Sequence, residues 1–372
     1  MADRSNVLLS SFGCLLWLLC THTVSYGKPE LRMANVVYRH GDRSPVSGFK
    51  TDIHMNFWPQ GLGQLTQLGM MQEFMLGQFL RDRYVDKLIN SSYRFSEVWR
   101  PNLDWQPVGV HVVPANEDYL LRPYDYNCSR LFEVLEKSKQ EPEYVNTAKK
   151  YKDDLSYISL HAGGSYSLSN MYQVHDTLFC EKSHNLSLPD WATNGTIWED
   201  MTDMNNFFLM WMFKGPEKAK LTGGSLVGEF IKNMKAHLEP TSKKLYIYSA
   251  HDTTVVALLS ALKLFDGIQP AYSSAVMVEL YSDPDDHNKN LTVRILYRFG
   301  QSSKPRILKL PTCKEFCPLD QFIKFLSSVC GGHSCSFASG FAFVHQFLQE
   351  EMLSPAKKPD LLQRSFERRS TS

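Results

Sequence analysis

The chain has 372 residues, 43% of them hydrophobic, with a formal net charge of +1. That length suits one large α/β domain or two smaller ones, and the apolar fraction allows a sizeable core. A balance so close to neutral argues against nucleic acid or a polybasic membrane contact as partner.

Asp3 and Arg4 precede an almost unbroken apolar stretch from Val7 to Cys20, and Ser25 and Gly27 supply small residues for a cleavage site. The stretch falls short of the ~20 apolar residues that a membrane span needs, so residues 1–27 read as a signal peptide. An uncleaved N-terminal anchor is the alternative. No later stretch is apolar enough to cross a bilayer, so the expectation is a secretory-pathway product, extracellular or lysosomal, without a transmembrane segment after cleavage.

Leu31 to Tyr38 reads as a strand leading into Arg39-His40-Gly41-Asp42-Arg43-Ser44-Pro45. Gly61 to Leu88 reads as a helix, because Leu65, Leu68, Met71, Met75 and Phe79 recur at three- and four-residue spacing. The middle, from Trp99 to Lys220, is mixed, with helical patches at Ser129–Lys137 and Thr202–Phe213. Leu226–Leu238 is another amphipathic helix, and Lys244–Ser249 a short strand rich in β-formers. His251-Asp252-Thr253-Thr254 follows at once, then a helix from Val255 to Leu264. Ser274–Tyr281 and Leu291–Phe299 form an antiparallel pair about the polar turn Asp283-Pro284-Asp285-Asp286. Residues 336–372 end in a polar, basic run with little periodicity and are expected to be disordered.

Cleavage of the leader leaves Cys128, Cys180, Cys313, Cys317, Cys330 and Cys335, an even set that suits disulfides in an oxidising compartment. The spacing of the last four also fits a four-thiolate zinc site, and connectivity cannot be read from it. Five sequons, at Asn90, Asn127, Asn185, Asn194 and Asn290, agree with export and glycosylation.

Two distant segments share one design, a strand that ends in a charged cluster containing histidine. Ligands of open α/β sheets bind outside the carboxyl ends of the strands, which would put Arg39, His40 and Arg43 on one rim with His251 and Asp252. Two arginines around an imidazole make a clamp for a tetrahedral phosphate. His40 can attack phosphorus and carry the phosphoryl group, with Arg39, Arg43 and a protonated His251 holding its oxygens. Asp252 is the acid placed to protonate the leaving oxygen. The scheme needs no metal or other cofactor. Neighbouring cations should lower the pKa of His40 and keep it neutral in mild acid, so an acidic optimum is expected. The plainer alternatives are a solvated basic loop and a helix cap at Asp252 or Thr253. His54, His111, His161 and His175 have no comparable context and read as packing or surface residues.

The run RHGDRSP after one strand and SAHDTT after another resembles the histidine acid phosphatases, a branch of the histidine phosphatase superfamily. Asn56–Thr66, Trp105-Gln106-Pro107, Leu188–Ala192 and Lys243–Thr254 extend the resemblance, which runs from about Leu31 to Phe325 and is nearest to the vertebrate lysosomal, prostatic and testicular members. It implies a phosphoglycerate-mutase-like α/β core sheet flanked by helices, with an inserted, mostly helical cap. The domain would span 28–335, with its core at 28–98 and 226–325 and its cap at 99–225. It also implies a homodimer that hydrolyses phosphate monoesters or phosphorylated peptides through a phosphohistidine. His40 becomes the nucleophile, Asp252 the proton donor, and Arg39, Arg43 and His251 the phosphate binders.

Three departures stand out. The family's Arg-Ser-Thr-Asp strand end, whose arginine is a third phosphate clamp, is missing together with its helix where Ser96-Glu97-Val98 meets Trp99-Arg100-Pro101. Losing one such donor commonly costs ~10²–10³ in rate. The family position that pairs with Cys180 is Ala275 here, and the C-terminal end differs. A catalytically dead relative that binds phosphorylated ligands, or dimerises with an active one, is therefore the alternative function. A phytase-like enzyme is a third, weakened by the near-neutral charge.

Overall fold

The structure, a computed structural model, describes residues 28–89, 109–124, 128–237, 239, 242–282 and 290–330. The expected signal peptide, Asn90, Arg100, Asn127, the turn at 283–286, Cys335 and the tail from 336 lie outside the described residues.

Strand β1 (Glu30–Arg39) pairs in parallel with β2 (Leu245–Ala250), Arg39 lying opposite Ala250. On its other side it runs antiparallel to β3 (Ala275–Ser282), which continues into β4 (Leu291–Arg298) and β5 (Arg306–Leu308). The sheet order is β2-β1-β3-β4-β5, with a two-residue strand β6 (Cys317–Pro318) also on β4.

Both faces of β1 are covered, which is why it reads as a nearly continuous apolar run. Met33 and Val37 point into one core, while Ala34 and Val36 point into the other. The first core is closed by α8 (Gly224–Ala236), α9 (Asp252–Ala261) and α10 (Leu319–Cys330), through Phe230, Met234, Leu258, Phe322 and Leu326. The second is closed by α1 (Gln67–Tyr84), through Leu76, Leu80 and Tyr84. Each such side chain, fully buried, contributes ~1.5–3 kcal/mol. Helix α1 starts later than the apolar periodicity suggests. Gly61 and Gly63 take positive φ, and the helix opens only where the Thr66 hydroxyl accepts from Gly69 N–H.

Helices α2 (Ser129–Ser138), α3 (Pro142–Lys150), α4 (Lys152–Ala162), α5 (Tyr172–Ser183) and α6 (Ile197–Phe213) follow, and α7 (Pro216–Thr222) links them to α8. Helices α4 to α6 share a separate core of Leu155, Ile158, Val174, Leu178, Met201 and Met204, into which Phe49 inserts from the loop after β1.

Cys313 and Cys317 are bonded to each other, and Cys128 is disulfide-bonded too. The expectation of a fully paired set is corrected at Cys180 and Cys330, which are free thiols. Cys180 lies on the buried side of α5 with its sulfur against Arg43 and Tyr272. Cys330 lacks Cys313 and Cys317 as partners because those two consume each other. The same bond takes two thiolates from the zinc alternative, and no group of potential metal ligands is found among the described residues.

Candidate active site

Because β1 and β2 are adjacent and parallel, the residues that follow them emerge side by side. The His40 and His251 rings meet edge to face with centroids 5.5 Å apart. The backbone N–H of His40 donates to Ala250 O at 3.0 Å, so the two strand ends are tied directly.

His40 Nδ1 lies 2.8 Å from the carbonyl oxygen of Gly41. A carbonyl only accepts, so Nδ1 carries the hydrogen in the neutral ring and Nε2 keeps a lone pair. Burial, followed by the Arg39 and Arg43 charges, lowers the His40 pKa from 6.5 to about 3. The ring is therefore a neutral nitrogen base in mild acid.

Arg39 is buried, and one of its terminal nitrogens donates to Pro270 O at 2.6 Å while the other meets Asp252 Oδ2 at 3.0 Å. Its guanidinium also lies 4.2 Å from the centroid of the Tyr272 ring. Its Nε is buried and finds no acceptor among the described residues. Asp252 Oδ2 also accepts a hydrogen bond from Gln269 Nε2 at 2.7 Å, and Oδ1 accepts from Thr253 N–H at 2.7 Å. Burial alone would raise this carboxyl, but Arg39, then Gln269 and His40, outweigh it and hold it down to about 2. The helix cap proves to be His251, whose N–H donates to the Thr254 hydroxyl at 3.3 Å. Asp252 thus begins α9 with its carboxylate near the positive end of the helix dipole.

Arg43 is gripped from the helical layer. Its two terminal nitrogens donate to both oxygens of Asp176 on α5, at 3.1 and 2.9 Å. Cys180 Sγ lies 3.6 Å from the same guanidinium and 3.5 Å from the Tyr272 hydroxyl, and burial pushes its thiol up to about 12. Asp42, fully buried, accepts on Oδ2 from the Thr66 hydroxyl and lies 2.6 Å from His184 Nε2, just beyond α5. Gly41 serves the packing: a Cβ there would stand 2.3 Å from Gly69 O in the first turn of α1.

The structure thus assembles Arg39, His40, Arg43, His251 and Asp252 around one rim. Sequence reasoning missed Asp176, Tyr272, Gln269 and His184, none of which stands in a motif. His54 bonds Ser187 O, and His175 is buried against Thr202.

The family profile of the histidine phosphatase superfamily (branch 2) matches residues 30–100 and 96–298. The chain belongs to that superfamily. It is 38% identical over 335 residues to a lysosomal acid phosphatase of Xenopus laevis, covering 81% of this chain and 77% of that protein. To the prostatic acid phosphatase of Homo sapiens it is 36% identical over 335 residues, covering 81% and 86%. Among solved structures, the Hafnia alvei phytase in its apo form superposes with a TM-score of 0.59 at 16% identity, over 82% of this chain and 97% of that one. At that identity the phytase likeness speaks for the fold alone.

Proposed function

We propose that this chain is an acid phosphatase that hydrolyses phosphate monoesters through a phosphohistidine at His40. One observation carries the reading: a neutral imidazole with a free Nε2 stands among Arg39, Arg43 and His251, with a carboxyl on the same rim. His40 Nε2 attacks phosphorus, the P–O bond to the leaving group breaks, and Asp252 protonates the departing oxygen. Water then attacks phosphorus, giving up a proton to Asp252, and the P–N bond breaks with its electron pair returning to His40 Nε2. Arg39, Arg43 and His251 hold the non-bridging oxygens as charge builds. The orphaned Nε of Arg39 supports this, since it is a buried donor still wanting an acceptor.

The two stretches of the family match overlap at residues 96–100, where the Arg-Ser-Thr-Asp run is missing and Arg100 reads as a surface residue. A reduced rate relative to relatives that keep the arginine is the consequence. The separate core of α4 to α6 supports division into an α/β core and a helical cap. Passage through the secretory pathway fits the relatives' names and the exposed sequons Asn185, Asn194 and Asn290. No described helix is long and apolar enough to cross a membrane. A homodimer is implied by the resemblance.

The test is an aryl phosphate assay at about pH 5 on the exported protein beside His40→Ala. Wild-type turnover lost in the variant is expected. Equal activity in both, or none in either, would sink the proposal.

A further inference from the structure

Asp252 Oδ2 accepts a hydrogen bond from the Gln269 amide at 2.7 Å and forms an ion pair with Arg39 at 3.0 Å. Oδ1 accepts one bond, from Thr253 N–H. An oxygen held against a guanidinium and already accepting an amide N–H is a poor seat for a proton, whereas its partner, away from the cation, has a lone pair to carry one. The transferable proton therefore belongs on Oδ1.

Gln269 is not free to turn. Its Oε1 accepts from Asn205 Nδ2 at 3.0 Å, and its backbone N–H donates to Asn206 Oδ1 at 3.1 Å. Asn205 is itself buried, on α6. A carboxylate accepts only, so Gln269 turns its NH2 to Asp252 and its carbonyl to Asn205, which answers with its own NH2. The Gln269, Asn205 and Asn206 amides therefore each have one workable orientation.

We propose that Gln269, locked by Asn205 and Asn206, is a positioning residue that reserves Oδ2 of Asp252 and leaves Oδ1 to carry the proton to the leaving group. This rests on Asp252 being the proton donor. In the first step the ester P–O bond breaks, its electron pair stays on the leaving oxygen, and that oxygen takes the Oδ1 proton. In the second, Oδ1 recovers a proton from the attacking water. Oδ2 keeps its Gln269 bond throughout, so the carboxyl cannot rotate between the steps. Through this amide, helix α6 takes part in aiming the donor.

The test compares kcat against pH for an alkyl phosphate, whose leaving group needs the proton, and for p-nitrophenyl phosphate, whose leaving group does not. In Gln269→Leu the anion of Asp252 loses a donor, so the alkaline limb for the alkyl ester moves up by about half to one pH unit. The alkyl-to-aryl kcat ratio falls about tenfold as the donor loses its aim. Asn205→Leu, which leaves Asp252 untouched, shifts both readouts the same way and by less. A lower kcat with the limb and the ratio unchanged in both variants would show a merely structural role and overturn the proposal. Asp252→Asn serves as reference: if it leaves the alkyl-to-aryl ratio unchanged, the proton-donor reading falls, and this inference with it.

Discussion

Gly41→Ala tests how the nucleophile is held. The added Cβ would lie 2.3 Å from Gly69 O, short of an ordinary 3.4 Å contact by about 1.1 Å, and 2.8 Å from Gly69 C and Cα. The obstacle is backbone in the capped first turn of α1, which cannot swing away as a side chain would. The loop must move instead, and overpacking of this kind costs about 1–3 kcal/mol. Its movement carries the Gly41 carbonyl that orients His40 and strains the Asp42 bonds to Thr66 and His184. A displacement near 1 Å at the reacting atom is enough for a roughly 100-fold loss of rate. Gly77 is the control, for it lies in the same helix with nothing within 4 Å of its added Cβ. Gly77→Ala should stabilise by about 1 kcal/mol through helix propensity and leave turnover unchanged. Thermal unfolding and aryl phosphate kcat/KM on the two variants give the answer. A Gly41→Ala protein with wild-type Tm and kcat/KM would refute the packing argument.

Two further outcomes follow from buried titratable groups. With His40 at about 3 and Asp252 at about 2, the free enzyme in mild acid holds a neutral base and an ionised acid. The missing proton must arrive on the ester monoanion, whose second pKa is ~6, and pass to Asp252 in the bound complex, so kcat/KM should stay flat from about pH 6 down to about pH 4. An acid limb with its midpoint near the ordinary histidine value would contradict this. The second concerns Glu181 on α5, buried within hydrogen-bonding reach of Asp52, with Glu181 Oε1 and Asp52 Oδ2 both lacking a donor. Burial, then Asp52, raises Glu181 from 4.5 to about 8. A carboxyl raised on folding stabilises fully below its unfolded pKa and loses that contribution as pH climbs through the folded value. The wild-type Tm should therefore fall between about pH 5 and 8, and Glu181→Gln should flatten the fall. Parallel Tm curves would rule out a shared proton.

Several elements were legible because their signals are local. The apolar run at 31–38 and the β-formers at 244–249 each end where the charged cluster begins, and the strands end there too, at Arg39 and Ala250. The paired strands around 274–299 carry the same kind of signal. The start of α1 is not legible, because leucines at 62, 65 and 68 keep a helical spacing past two glycines, 61 and 63, that take positive φ.

By itself, then, the sequence determined the chemistry: a histidine flanked by arginines, a second histidine beside a carboxyl, each after a strand. Only the tertiary structure decided what holds those groups. Arg43 meets Asp176 across 133 residues of chain, and Asp42 meets His184 across 142. It also left Cys180 unpaired beside that clamp, and it set Gln269 between Asn205 of α6 and Asp252. Such contacts depend on how α5 and α6 settle over the rim, and no periodicity or spacing within either segment encodes that placement.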